Sequence, residues 1–121
     1  LTSQNKVSAR FKGYKSEDYV CSYLVENGYE IITRNYTIRG SEIDVIARFK
    51  EWIVFIEIKS SRSNSHYSVY LSLNKTKKAA IKRGINLWLL KNNFLNAIWR
   101  FDLVILFTDS GNIEIYSHTN L

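Results

Sequence analysis

Proline and methionine are absent from this 121-residue chain, cysteine occurs once and glycine five times. With no proline and only scattered glycines, no linker or internal boundary stands out, and no repeat or low-complexity tract divides the sequence. The expectation is one domain, residues 1–121, long enough to bury a core of its own. A single thiol, Cys21, excludes a disulfide framework and a thiolate zinc site. It lies in a helical pattern between Val20 and Leu24, where a buried structural thiol is expected. The two histidines, His66 and His118, are far apart in polar segments and have no partner at metal-ligand spacing. No apolar run is long enough to span a bilayer and no signal-peptide pattern occurs, so no membrane and a cytoplasmic, reducing setting are expected. With methionine missing even at position 1, the natural start is expected to have been lost or to lie upstream.

Hydrophobic residues make up 45% and aromatic residues 14%, which suits a folded chain rather than a disordered one. The formal net charge is +6, with a sequence pI of about 9.5. A basic balance points to a polyanionic partner. The abundance of Asn, Lys, Ile, Tyr and Ser also fits an AT-rich genome, which raises lysine by itself and weakens that signal.

Apolar spacing at Val7, Phe11, Tyr14, Val20, Leu24 and Val25 predicts an amphipathic helix over Gln4 to Asn27, broken near Gly13 and stopped by Asn27-Gly28. Tyr29 to Asn35 reads as a strand and Arg39-Gly40-Ser41 as a turn. Glu42 to Phe49 and Trp52 to Ser60 read as an antiparallel hairpin around Lys50-Glu51. Ser60 to Leu73 is polar and irregular. Asn74 can cap a helix running to about Lys91. Ile98 to Thr108 is an apolar strand, and Asp109 to Asn112 turns into a last strand, Ile113 to Tyr116. The order is helix, three strands, helix, two strands, which predicts an α/β fold: a mixed central sheet flanked by helices.

Charged groups interrupt two of these strands, SEIDVIA and WIVFIEIKS. Burying an unpaired charge is costly, so Asp44, Glu57 and Lys59 need a reason to be there. A turn centred on Lys50-Glu51 sets Asp44 directly across from Glu57, and alternation puts Glu57 and Lys59 on one face. Cross-strand Cβ atoms lie about 4.5–5.5 Å apart. A bulge would shift this register by one residue. Two carboxylates so close repel unless a proton or cation sits between them. Mg²⁺ or Mn²⁺ is the expected cation, since hard ions take carboxylate oxygens and keep waters. The Ile58 carbonyl, between Glu57 and Lys59, is placed to complete the coordination. Such an ion activates water and binds phosphate, and Lys59 could hold that water or stabilise charge in the transition state. The simpler alternative is a cross-strand salt bridge, with Lys59 satisfying Asp44 or Glu57.

GSEIDVIA followed by FIEIKS resembles the YraN-like family of small bacterial proteins, which look like archaeal Holliday-junction resolvases of the PD-(D/E)xK nuclease superfamily. The resemblance spans most of the chain: KSEDYVCSYLVENGY in the first helix, then IITRN, RGSEIDVIA, IEIKS, the lysine-rich helix opening NKTKKAA, and RFDLV. It implies a restriction-endonuclease-like core of α-β-β-β-α-β order, and metal-dependent hydrolysis of phosphodiester bonds. By position, Asp44 matches the motif aspartate, Glu57 the second acid and Lys59 the lysine. Glu17 matches a helix glutamate that related resolvases direct at the metal. Ser16 and Ser41 stand where the family usually has glycine, and Ser60-Ser61-Arg62 replaces its usual Thr-Arg; none of these removes a presumed catalytic group.

Other residues carry two readings each. Glu42 could share the acidic face or serve structure. Lys75, Lys77, Lys78, Lys82 and Arg83 crowd one helix, with Lys75, Lys78 and Lys82 in one narrow stripe. That stripe is either a track for a phosphate backbone or a solvated face. Arg34, Arg39 and Arg62 flank the acidic patch and could clamp phosphates. Tyr67 and Tyr70 could stack on unpaired bases or simply line a loop. Asp102, inside an apolar strand, reads as structural. The leading expectation is a Mg²⁺- or Mn²⁺-dependent endonuclease acting on DNA, branched or single-stranded, with a homodimer by analogy to resolvases. The alternative is a nucleic-acid-binding accessory protein that keeps the fold without catalysis; RNA is a further possible substrate.

Overall fold

The computed structural model describes residues 15–62 and 73–121. Helix α1 (Ser16–Glu26) leads into β1 (Glu30–Ile38), β2 (Ser41–Phe49) and β3 (Trp52–Ser61); helix α2 (Lys75–Lys91) precedes β4 (Trp99–Phe107) and β5 (Ile113–Tyr116). The strands form one sheet in the order β1-β2-β3-β4-β5. Only β3 and β4 run parallel, because α2 carries the chain back between them; the other pairs are antiparallel. The sheet is therefore mixed, as the order of elements predicts. No helix among the described residues is long and apolar enough to cross a membrane.

The alternation of β3 decides which helix covers which face. Ile53 and Phe55 pack with Ile81, Ile85, Trp88 and Leu89 of α2. Val54 and Ile56 pack with Tyr19, Val20, Cys21 and Leu24 of α1. Central β4 is covered on both faces, so every residue from Phe101 to Phe107 is buried, the pattern expected of a strand between two helical layers. Cys21 is a free buried thiol, and burial pushes its pKa up, so it serves packing as expected.

One boundary differs from the sequence reading and another is covered only in part. The described helix α1 begins at Ser16, and the predicted portion before residue 15 lies outside the described residues. At its other end Gly28 takes φ 96°, and the Tyr29 amide donates to the Leu24 carbonyl at 3.0 Å, which stops the helix where predicted. Strand β1 does not end at Asn35. Asn35 takes φ 54°, a conformation its side chain tolerates, and pairing continues through Tyr36↔Ile43 to Ile38↔Ser41. Asn74 caps α2 as predicted, its Oδ1 accepting from the Lys77 amide at 2.9 Å.

Asp102 is fully buried and wholly engaged in structure. Its carboxylate accepts from Arg100 Nε at 3.1 and 3.2 Å, from Ser117 Oγ at 3.2 Å and from the His118 amide at 3.2 Å. It thereby ties the segment after β5 to the start of β4.

Candidate active site

The site is built where two neighbouring strands part. β2 pairs with β3 from Phe49↔Trp52 to Val45↔Ile56, the register the hairpin predicts. Beyond Val45, β2 stays with β1 as far as Ser41, and β3 stays with β4 as far as Ser61. The alternation of β2 also breaks here: Ile43 joins the α2-side cluster and Val45 the α1-side cluster. Residues two apart on a regular strand share a face, so the chain rotates about Asp44.

Asp44 fills the fork. Its Oδ2 accepts the Ile58 amide at 2.7 Å, taking the place of the carbonyl that a continuing β2 would have supplied. The carbonyl of Ile58 points to the same side of its strand as its own amide, so it faces the fork as well. Glu57, one residue earlier, is 5% exposed. Its Oε2 lies 3.4 Å from Lys59 Nζ and 3.3 Å from Lys77 Nζ.

The two acids feel one another. The Asp44 pKa is raised from 3.8 to about 7, by burial first, then by the charge of Glu57 and a hydrogen bond with it, with a smaller push from the charge of Glu42, while the Ile58 amide pulls it down. A group held so far from its ordinary range by burial and a like charge marks a functional-site candidate.

The structure thus brings Asp44, Glu57, Ile58 and Lys59 together. Glu17 does not converge with Asp44 and Glu57 as a third ligand. Glu17 and Arg34, read separately from the sequence as a metal ligand and a phosphate clamp, are bound to each other: Arg34 Nε meets Glu17 Oε2 at 3.1 Å and Arg34 Nη2 meets Asp18 Oδ1 at 2.6 Å. Among the described residues no three His, Cys, Asp or Glu side chains converge as a metal cluster. The expected coordination therefore rests on two carboxylates and a carbonyl.

Of the basic residues, Lys75, Lys82 and Arg83 are exposed on α2 and Lys78 is half-buried. Arg39 and Arg62 are exposed on β1–β2 and β3 margins, and the Arg39 carbonyl accepts from Arg83 Nη2 at 3.3 Å, which seats α2 against the β1–β2 turn. Lys77, off that stripe, joins the acids. From sequence Lys77 reads as one of the nucleic-acid-binding cations of the helix, yet a signal of its place was present: in a strand-helix-strand crossover the first turn of the helix lies near the end of the preceding strand. His66, Tyr67 and Tyr70 lie outside the described residues.

One departure from the family pattern has a local cause. Ser41 is buried, and Gly84 of α2 comes so close that a Cβ on Gly84 would collide with Ser41 Oγ and sit 3.2 Å from its Cβ. The serine fills space at this crossing and only a glycine fits opposite it.

A family model described as "Uncharacterised protein family UPF0102" matches residues 16–106. The chain is 37% identical over 106 residues to a UPF0102 protein of Geobacter metallireducens, covering 88% of this chain and 86% of that protein. It is 36% identical over 98 residues to one from Carboxydothermus hydrogenoformans, covering 81% and 83%. It is also 31% identical over 121 residues to UPF0102 protein PBPRA3228 of Photobacterium profundum, covering 98% and 97%. The matched span contains both acids, Lys59 and Lys77, and the chain belongs to the UPF0102, or YraN-like, family.

Proposed function

We propose that this protein is a metal-dependent endonuclease that hydrolyses phosphodiester bonds in DNA. The single observation that carries the reading is the pair of carboxylates, Asp44 and Glu57, held together at a strand fork with an ammonium, Lys59, on the second acid. The donor set fits Mg²⁺ or Mn²⁺: hard oxygens from Asp44 and Glu57, with the Ile58 carbonyl beside them. The raised Asp44 pKa supports this, because a divalent cation would replace the proton that burial and the neighbouring Glu57 charge favour on Asp44. Such an ion supplies an activated water and neutralises phosphate charge.

The chain's own groups do the rest. The Ile58 amide fixes one oxygen of Asp44 and so aims the carboxylate. Lys59, part exposed, can turn from Glu57 to orient a water or to stabilise charge as the phosphodiester bond breaks. Lys75, Lys78 and Lys82 on α2, with Arg39 and Arg62, offer cations for the backbone of a nucleic acid, which would make binding salt-sensitive and sequence-independent. A homodimer acting on symmetric branched DNA belongs to the same proposal.

A second reading has its own observation. Glu57 already has two ammonium neighbours and Glu17 is engaged by Arg34. A protein with no cation at all could hold this arrangement and act only as a nucleic-acid-binding accessory. Supercoiled, single-stranded and four-way-junction DNA incubated with Mg²⁺ or Mn²⁺ distinguish the two. Cutting that needs the cation and disappears in both Asp44→Asn and Glu57→Gln is the expected result. Binding without cutting by the wild type favours the accessory reading, and no DNA binding removes both.

A further inference from the structure

Lys77 carries an inference that the nuclease reading does not contain, although it rests on that reading for the identity of the acids. Three observations bear on it. Lys77 Nζ lies 3.3 Å from Glu57 Oε2, the same oxygen that Lys59 approaches at 3.4 Å. Glu57 is nearly closed off from solvent, whereas the Lys77 side chain is 41% exposed. The Lys77 amide is fixed by Asn74 Oδ1 at 2.9 Å, so the stem of the lysine starts from a capped first turn.

A buried carboxylate needs a positive partner. Two ammoniums on one carboxylate oxygen repel each other, and both distances are at the loose end of an ion pair. An exposed lysine loses little on leaving, because water re-solvates it. Glu57 would lose much if it were left alone, but not if another cation took the place. The carboxylate is therefore held by a partner that is easy to exchange. The stripe residues Lys75, Lys78 and Lys82 have no ion pair of this kind among the described residues.

We propose that Lys77 is the resident counter-ion of Glu57 and competes with a divalent cation for that carboxylate. In the cation-free protein it balances the buried acid. When a divalent cation binds, its ammonium is released from Glu57 toward solvent at the first turn of α2, where a phosphate of a bound nucleic acid can receive it. Lys77 is thus a positioning residue that links occupancy of the acids to the nucleic-acid-binding face of the helix.

The test is a calorimetric titration of Mn²⁺, without nucleic acid, into wild type, Lys77→Met, Lys77→Arg and Lys78→Met. Methionine keeps the length of the stem and removes the charge. Lys77→Met is expected to bind Mn²⁺ about three- to fivefold more tightly than wild type, the scale of a part-exposed ion pair. Lys77→Arg should stay near the wild-type affinity, and Lys78→Met, a neighbour on the same helix, should leave it unchanged. Equal or weaker affinity in Lys77→Met, with wild type binding normally, overturns the competition and leaves the nuclease reading intact. A gain of the same size in Lys78→Met also overturns it, because the effect would then be one of general charge. Absence of Mn²⁺ binding in every variant removes the cation reading of the acids and the competition with it.

Discussion

Asp44 accepts the backbone amide of Ile58 at 2.7 Å, so a side chain completes the hydrogen bonding of β3 where β2 has turned away. This makes Asp44 part of the backbone scaffold as well as one of the two acids. Alanine there would orphan the Ile58 amide, at a cost of about 1–3 kcal/mol, and would confound a test of chemistry with a loss of fold. Asp44→Asn keeps an acceptor oxygen and removes the charge. It is expected to abolish detectable cutting while circular dichroism and salt-dependent DNA binding stay near wild type. If Asp44→Asn instead unfolds, the charge at this position serves the fold and the catalytic reading of Asp44 fails.

Stability should depend on pH through the same group. The folded-state pKa of Asp44 is raised, from 3.8 to about 7, so between those values the folded protein holds a proton that the unfolded chain releases. The contribution of Asp44 to stability therefore falls as pH rises from about 4 to about 7 and levels off above that. Urea unfolding of wild type and Asp44→Asn across this range should show the wild type losing ground to the variant as pH rises. A constant difference between the two would show that Asp44 is ionised throughout. Under the nuclease proposal, Mn²⁺ affinity should rise over the same window, because the cation must displace that proton.

The crossing of Ser41 and Gly84 should show strong coupling. Gly84→Ala places a methyl group against the Ser41 side chain and 3.3 Å from Ile43 Cδ1, and is expected to cost about 1–3 kcal/mol by overpacking. In a Ser41→Gly background most of that collision is gone. The double variant should therefore be more stable than the two single effects added together, as read by urea denaturation in a double-mutant cycle. Additive effects would mean that α2 shifts to relieve the contact.

Asp102→Ala should be the most damaging of these substitutions. It would leave Arg100, whose side chain is 10% exposed, without its counter-ion and free the segment at Ser117 and His118. Breaking a buried pair from one side costs about 3–5 kcal/mol. A large drop in Tm is expected, together with unchanged DNA affinity in the population that remains folded at low temperature. Loss of DNA affinity by folded protein would give Asp102 a role beyond structure.

The fold was legible because its signals are local. Alternation in β2 and β3 and the short turn at Lys50-Glu51 fix the hairpin register, and with it the meeting of Asp44 and Glu57. Asn27-Gly28 and Asn74 mark helix ends by backbone chemistry that needs no tertiary context. What the sequence hid is pairing between elements. Helical periodicity says that Lys77 differs in direction from Lys75 and Lys78, but not which strand it meets. Glu17 and Arg34 each carry a reasonable separate role, and only the packing of α1 beside β1 reveals that they neutralise one another. The rotation of β2 at Asp44 was invisible because Ile43, Val45, Ile46 and Ala47 are all apolar and the sheet is covered on both faces, so composition does not say which face each takes.

The mixed sheet also sets an order of assembly. Asp44 and Glu57 belong to a hairpin whose ends are close in sequence, and such contacts close quickly. The parallel pairing of Ile53 with Trp99 spans more than a third of the chain and must wait until α2 has formed and docked. During folding the two acids therefore meet before the helix delivers Lys77. The nascent hairpin passes through an interval in which its carboxylates have fewer cations than in the finished protein.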